Sequence, residues 1–264
     1  SVWFRKGPLF YTAFNIRLAM WLLFCRCDIF LANDLDTLPA NVLTGKIRRN
    51  PVVYDSHEFF TEVPELIDRP FVKRFWEILE QFLVSRLKYA YTVCDSIAQI
   101  YFEKYGVKFD VVRNFPRAAD FDPEALVDRT GLPEMILYQG AVNMGRGLEQ
   151  AVMAMKYVEN GQLVIAGDGD IKDRLENIVS RNNLEDRVKF LGRLPIEDLL
   201  KITPVAALGI SIEEDLGLSY HFALPNKLFD YIQALVPVVV TDLPEMAAIV
   251  RRYQIGEIAK SLRP

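Results

Sequence analysis

The chain has 264 residues, enough for about two domains of ordinary size, and 51% of them are hydrophobic, so that two cores can be filled. Its 31 lysines and arginines stand against 35 acids, and the resulting net charge of −4 provides no basic excess for binding nucleic acid. Its three cysteines have neither the number nor the spacing of a zinc site or a disulfide framework, which favours a reducing cytoplasm.

The two ends of the chain suggest a fragment of a longer protein. It starts at Ser1 rather than Met, inside a helix-like stretch, and it ends at Pro264 just after a strand-like segment. The longest apolar run, residues 18–25, is far shorter than the ~20 residues that cross a bilayer, and nothing resembles a signal peptide. We therefore expect a soluble chain.

The first half alternates strand-like runs with helical stretches, as βαβ units around a parallel sheet do. The strand-like runs are residues 28–32, 52–54, 91–94 and 110–113. The clearest helix covers residues 71–88. Its apolar side chains lie on one face and are expected in the core: Val72, Phe75, Trp76, Leu79, Phe82, Leu83 and Leu87.

The periodicity stops around residues 114–123, where proline and aspartate accumulate as they do in linkers. We predict an N-terminal domain over residues 1–115, a linker over 116–130 and a C-terminal domain over 131–264. A second alternation follows the linker, with strands predicted near residues 135–139, 162–166, 188–191, 206–210 and 236–241. The fold class is therefore α/β, with two open Rossmann-like domains.

In open parallel sheets, ligands collect beyond the carboxyl ends of the strands. The loop from Gly140 to Gly147 holds three glycines and Arg146, so backbone N–H groups and a guanidinium can converge on a phosphate oxygen. A flexible turn with a solvent-facing arginine fits this loop equally well. The sequence Gly167-Asp-Gly169 fits a strand-to-helix turn better than a ligand site.

The segment 220–231 is the most informative. Pro225 fits the first turn of a helix, and Lys227 beside it would lie at the helix N-terminus, where a cation is electrostatically unfavourable unless it meets an anion. We therefore interpret Lys227 as a phosphate ligand. Asp230 follows about one turn later, so both side chains can face one cleft. The alternative is a surface Lys–Asp ion pair that contributes little.

Two further groups follow strands of the first half. His57 comes directly after the run 52–54 and could point into a cleft between lobes, although a lone histidine is more often structural. Asp34 and Asp36 could bind a divalent cation, but a helix N-cap at Asp36 or Thr37 is the better interpretation. We predict no metal site.

Together these motifs resemble the retaining family 4 (group 1) glycosyltransferases of the GT-B fold. The matching elements stand in the order of that family over nearly the whole chain: residues 54–57, 112–114, 138–140, 146–147, 167–169, 188–192, 224–231 and 236–239. The resemblance implies two Rossmann-like domains that face each other across a cleft. It also implies an incomplete N-terminal lobe, because the family's first βαβ units have no counterpart before Ser1.

The resemblance implies a role for each donor-site residue. It assigns the pyrophosphate of a nucleoside-diphosphate sugar to Arg146 and Lys227, with help from the glycine loop at Gly140. It assigns the nucleotide ribose to Asp230, and it places His57 beside the donor sugar near the reaction centre.

The nucleobase and the sugar are assigned less directly. By resemblance, the backbone around Gly192 and Arg193 lines the nucleobase. The family's glutamate eight residues before its second acid is replaced, since Phe222 stands eight residues before Asp230. Tyr220, His221 or Asn226 would then contact the donor sugar in its place. Ala141 stands where many relatives have a second basic residue.

The resulting hypothesis is a hexosyltransferase-type enzyme of polysaccharide biosynthesis. It would move a sugar from a nucleoside-diphosphate sugar to a hydroxyl acceptor, either a sugar or a lipid-linked glycan, with retention of configuration and without a metal or a cofactor. We expect the protein in the cytoplasm, either free or in peripheral contact with the inner face of the membrane. Two alternatives stay open: a non-catalytic nucleotide-binding protein of the GT-B fold, and a GT-B-fold epimerase or phosphorylase.

Overall fold

The computed structural model describes residues 7–63, 66, 69–116 and 134–262. The chain forms two compact units, Ser1–Arg113 with Gly217–Ser219, and Asn114–Leu216 with Tyr220–Pro264. Each unit is built on a parallel sheet, one of four strands and one of six, which confirms the predicted α/β class. The predicted linker lies outside the described residues except for Pro116, and the domain bounds stay a prediction.

The first unit contains a four-stranded sheet in the order β1-β2-β3-β4. Its strands are β1 (Phe30–Asn33), β2 (Val52–Ser56), β3 (Tyr89–Thr92) and β4 (Asp110–Val111). Its helices are α1 (Pro8–Phe24), α2 (Leu38–Arg48), α3 (Pro70–Val84) and α4 (Asp95–Tyr105). Throughout the described part of the chain, every helix is too short or too polar to cross a bilayer.

Helix α3 corrects the predicted helix 71–88, since it ends at Val84. Trp76 and Leu83 are buried as expected, but Phe75 and Phe82 are 56% and 57% exposed, so the prediction that they lie in the core is wrong. The buried stripe runs through Trp76, Glu80, Leu83 and Val84. Phe75 comes one residue before Trp76, and Phe82 comes one residue before Leu83. Because successive residues of an α-helix are rotated by about 100°, both phenylalanines lie beside the buried stripe rather than on it.

Glu80 is a carboxylate in the core of the first unit, and it is surrounded by donors. The Tyr101 hydroxyl donates to it at 3.2 Å and the Lys104 ammonium at 3.3 Å. The same Tyr101 hydroxyl lies 2.9 Å from the Ser56 hydroxyl at the end of β2. Because a buried charge needs such partners, this network fixes the end of β2, which immediately precedes His57.

The second sheet has six strands in the order β10-β9-β8-β5-β6-β7. Its strands are β5 (Met135–Gln139), β6 (Gln162–Ala166), β7 (Val188–Gly192), β8 (Leu208–Ser211), β9 (Val238–Thr241) and β10 (Gly256–Ala259). The helices that lie between its strands along the chain are α5 (Leu148–Ala154), α6 (Lys172–Arg181), α7 (Ile196–Ile202), α8 (Leu218–His221), α9 (Asn226–Gln233) and α10 (Pro244–Tyr253). Strands β5 and β6 have the predicted bounds, and those of β7, β8 and β9 differ from the prediction by one or two residues.

The order of this sheet reverses between β5 and β8. From β5 the chain adds β6 and β7 on one side, and then it returns to add β8, β9 and β10 on the other. Open α/β sheets bind ligands at such a switch point, beyond the carboxyl ends of the strands. The loops that follow β5 and β8 pack together there, since Glu214 N donates to Gly145 O at 2.8 Å. A Cβ on Gly147 would lie 2.1 Å from Ile212 O, so this approach requires glycine.

Candidate functional site

Three charged side chains meet at the switch point between β5 and β8. Arg146 belongs to the loop after β5, Glu213 follows β8 by two residues, and Lys227 is the second residue of α9. One oxygen of Glu213, Oε1, lies 2.5 Å from Lys227 Nζ and 3.5 Å from Arg146 Nη1. The structure thus brings together both predicted cations, around an acid that sequence reasoning did not select.

Burial decides how these charges behave. The Glu213 side chain is 0% exposed, Lys227 is 7% exposed and Arg146 is 25% exposed. Burial raises the pKa of Glu213, but the Lys227 ammonium, with Arg146 and the Ser211 hydroxyl, outweighs this effect and holds the pKa below its usual value. Burial lowers the pKa of Lys227, and Glu213 opposes that shift. With all three groups ionised, the cluster has a net charge of +1.

Arg146 is held beside an aromatic ring and leaves one N–H group unsatisfied. Its guanidinium carbon lies 5.1 Å from the centre of the Tyr220 ring, and Lys227 Nζ lies 4.7 Å from the centre of the Tyr138 ring. Arg146 Nε is buried and has no hydrogen-bond partner among the described residues. A buried donor without an acceptor costs free energy, which an oxyanion bound at this position would recover.

Asp230 lies one turn after Lys227, as predicted, but the two do not pair. Gln139 Nε2 donates to Asp230 Oδ2 at 2.8 Å, and Gln139 Oε1 accepts a bond from Thr203 Oγ1 at 2.8 Å. Burial raises the pKa of Asp230, and the bond from Gln139 opposes that rise. The surface Lys–Asp pair considered from sequence is therefore replaced by two separate contacts, Lys227 with Glu213 and Asp230 with Gln139.

The glycines beyond β5 and β6 serve close packing. Gly140 N donates to Ala166 O at 3.0 Å, and a Cβ on Gly167 would lie 1.8 Å from Gly140 O. Similarly, a Cβ on Gly169 would lie 2.3 Å from Val142 O. This agrees with the conformational interpretation of Gly167-Asp-Gly169.

The remaining predicted nucleotide ligands lie outside the charged cluster. Gly192 ends the edge strand β7 with φ of 68°, and the exposed Arg193 follows it. Asn226 is exposed at the first position of α9. None of the hydrogen bonds or ion pairs that join Arg146, Glu213 and Lys227 reaches these residues.

His57 belongs to the first unit and follows β2. Its Nδ1 lies 3.0 Å from Asp55 Oδ1, and its backbone N donates to Asp34 Oδ1 at 3.3 Å. The Asp55 side chain is 7% exposed, whereas His57 is 42% exposed. A ring anchored through Nδ1 presents Nε2 as the nitrogen for a ligand.

The acid pair near the start of α2 confirms only part of the capping interpretation, because Thr37 stands at the N-cap position but makes no side-chain capping hydrogen bond to the helix. Thr37 is the N-cap residue of α2, and its hydroxyl donates to Asn33 O at 2.7 Å. Asp34 has φ of 58°, in the left-handed region, and its carboxylate accepts the bond from His57. Over the described ranges, no three acid, histidine or cysteine side chains come together as metal ligands would.

Comparison with known proteins gives a family match over the second unit. The model described as "Glycosyl transferases group 1" matches residues 133–261. The uncharacterized glycosyltransferase MJ1607 of Methanocaldococcus jannaschii is 28% identical over 123 residues, or 45% of this chain and 30% of that protein. The lipopolysaccharide core biosynthesis glycosyltransferase LpsD of Rhizobium meliloti is 34% identical over 88 residues, or 31% of this chain and 25% of that protein. Each match thus spans less than a third of the relative's length.

Solved structures share the fold over almost the whole chain. The structure of Anabaena HepE in complex with UDP-glucose has a TM-score of 0.71 and 16% sequence identity, and the match covers 97% of this chain and 71% of that chain. The GT-B fold expected from the sequence is confirmed by this likeness.

The raised pKa of Asp230 predicts how the free energy of unfolding depends on pH. The folded protein keeps the Asp230 proton to a higher pH than the unfolded chain, so its free energy of unfolding falls as pH rises through that pKa. Asp230→Asn cannot lose this proton, and its amide oxygen can still accept the bond from Gln139. In urea unfolding between pH 4 and 8, we expect the stability of the variant relative to wild type to increase with pH. A difference that stays constant or decreases with pH would contradict the assignment.

Proposed function

We propose that this chain, whose residues 133–261 match the group 1 glycosyltransferases, transfers a hexosyl group from a nucleoside-diphosphate sugar to a hydroxyl acceptor with retention of configuration. The observation that carries the proposal is the convergence of Arg146 and Lys227 at the switch point of the second sheet. That edge is where open α/β sheets bind ligands, and the family match covers the same unit.

The charged cluster suits the diphosphate of such a donor. Arg146 offers a planar set of N–H donors, including the buried Nε that lacks an acceptor among the described residues. An ammonium group has three N–H donors, and Glu213 accepts one from Lys227. As the bond from sugar to phosphate breaks, negative charge grows on the departing diphosphate. Preorganised cations stabilise that charge by a few kcal/mol for each well-placed group.

The nucleoside has candidate contacts along the same sheet edge. Asp230 is held by Gln139 through Oδ2, and an ionised carboxylate can accept further bonds from the ribose hydroxyls. The loop at Gly140 would cover the phosphates, and the backbone at Gly192 and Arg193 would line the base. Because HepE has been captured with UDP-glucose, UDP and UDP-glucose are the first ligands to test.

Retention follows from attack on the face from which the diphosphate leaves. The acceptor oxygen bonds to the anomeric carbon as the bond to the phosphate oxygen breaks, and the acceptor proton passes to that departing oxygen. Glu213 does not serve as a nucleophile in this scheme, because Lys227, Arg146 and Ser211 already hold its two carboxylate oxygens. His57 would contact the donor sugar through Nε2, with Asn226 as a further candidate for reading its hydroxyls.

Two further observations support the proposed acceptor class and the proposed cellular location. LpsD is named for lipopolysaccharide core biosynthesis, which supports an acceptor hydroxyl on a sugar or a lipid-linked glycan. Cys25, Cys27 and Cys94 are free thiols, which supports a cytoplasmic location.

Removing the Lys227 charge should separate diphosphate binding from nucleoside binding. We expect Lys227→Met to weaken UDP binding about ten-fold or more, since a charge-assisted contact contributes roughly 1.5–3 kcal/mol, and to leave uridine binding within about two-fold. Asp230→Asn should weaken UDP and uridine alike, because both contain the ribose. Isothermal titration calorimetry with both ligands measures this.

A companion variant controls for the buried acid that Lys227→Met leaves behind. Lys227→Met combined with Glu213→Gln removes one charge of each sign, and it should show the same selective loss of UDP. Equal losses for UDP and uridine in either Lys227 variant, or no loss at all, would place the diphosphate elsewhere.

His57 should affect turnover and not nucleotide affinity. We expect His57→Ala to lower kcat by roughly 10²-fold, because a misplaced donor sugar reacts slowly, while the Kd for UDP stays within a few-fold of wild type. Release of UDP from UDP-glucose in the presence of acceptor measures kcat, and calorimetry measures Kd. Full activity in the variant would remove His57 from the site.

A further inference from the structure

Within the charged cluster, Glu213 is the buried group that the proposed reaction does not use directly. Its Oε2 accepts a bond from Ser211 Oγ at 2.9 Å, and its backbone oxygen accepts one from Thr241 Oγ1 at 2.8 Å. These donors belong to β8 and β9, so the acid is fixed to the sheet. Its other carboxylate oxygen, Oε1, points to the two cations.

Lys227 depends on this acid for its charge. Burial disfavours the ammonium form, and so does the neighbouring Arg146 cation. The titratable and charged groups that face the cluster are Glu213 after β8, Arg146 before α5, Tyr138 on β5 and Tyr220 on α8. Among these, Glu213 is the group whose charge favours the ammonium.

We propose that Glu213 is a positioning residue of the diphosphate site, which holds the Lys227 ammonium and the Arg146 guanidinium on one oxygen so that both cations face the same phosphate group. Without this acid, two like charges would share a buried site and repel each other. The identity of the anion rests on the proposed function. The effect of Glu213 on the protonation of Lys227 can be measured without a ligand. It can therefore be tested separately from the identity of the anion.

A purely structural role for Glu213 makes a different prediction. If the acid served merely to tie α9 to β8, its loss would weaken UDP binding equally at every pH. If it keeps Lys227 charged, its loss makes UDP binding more sensitive to pH, because Lys227 then releases its proton at a lower pH than in the wild type.

The test compares Glu213→Gln with Glu213→Asp and with Glu214→Gln. Glutamine has the shape of glutamate without the charge, and aspartate keeps the charge but is one methylene shorter. Glu214 is the matched control, because it is the next acid along the chain, is partly exposed, and contacts Gly145 through its backbone N–H. The NMR signal of the Lys227 ε-carbon, assigned with Lys227→Arg, gives the ligand-free titration midpoint of Lys227. Calorimetry at pH 7 and pH 9 gives the affinity for UDP.

We expect the Lys227 midpoint to fall by about one pH unit or more in Glu213→Gln, to fall by less in Glu213→Asp, and to stay unchanged in Glu214→Gln. UDP affinity should fall about ten-fold more between pH 7 and pH 9 in Glu213→Gln than in wild type. An unchanged Lys227 midpoint in Glu213→Gln, or in Glu213→Asp should the glutamine variant not fold, would overturn the proposal. Absence of UDP binding by the wild type would instead contradict the proposed function, and the Lys227 midpoint would still decide the role of Glu213.

Discussion

The contact between Lys227 and Glu213 is the interaction on which the candidate site depends. Two ionised groups buried at 2.5 Å attract each other, but each has lost its hydration. A buried pair of this kind rarely stabilises a fold more than apolar side chains of the same size would. Stability alone therefore does not account for the pair, whereas the diphosphate proposed to bind beside it would. Arg146 adds the second cation, and together the three groups form a site with a net positive charge in a poorly hydrated place.

The strand order explains why these groups meet. Arg146 and Glu213 are 67 residues apart in sequence, yet they follow β5 and β8, which are neighbours in the sheet. Open α/β sheets bind ligands where the strand order reverses, as it does between these two strands, and the loops beyond them pack through Gly147 against Ile212. Helix α9 then brings in Lys227 and, one turn later, Asp230. One topological feature thus positions the proposed phosphate and ribose contacts together.

Much of this could be predicted from local sequence. Strands β5 and β6 are short apolar runs with polar boundaries, and Lys227 is a cation placed unfavourably at a helix N-terminus, so each carries its own signal. Glu213 carries no such local signal, because its partners lie 14 and 67 residues away in the sequence. The pairing of β8 with β5, which brings them together, cannot be inferred from local sequence. Gln139, which holds Asp230 across 91 residues, was missed for the same reason. The predicted burial of Phe75 and Phe82 is wrong because the spacing of apolar residues identifies an apolar face of the helix, but it does not show how much of that face is buried.

The most direct test of the central claim is a crystal structure of the chain with UDP bound. We expect diphosphate oxygens within hydrogen-bond distance of Arg146 and Lys227, ribose hydroxyls on Asp230, and Glu213 still in contact with Lys227. UDP bound away from the β5–β8 switch point, or a diphosphate there that contacts neither Arg146 nor Lys227, would contradict the account.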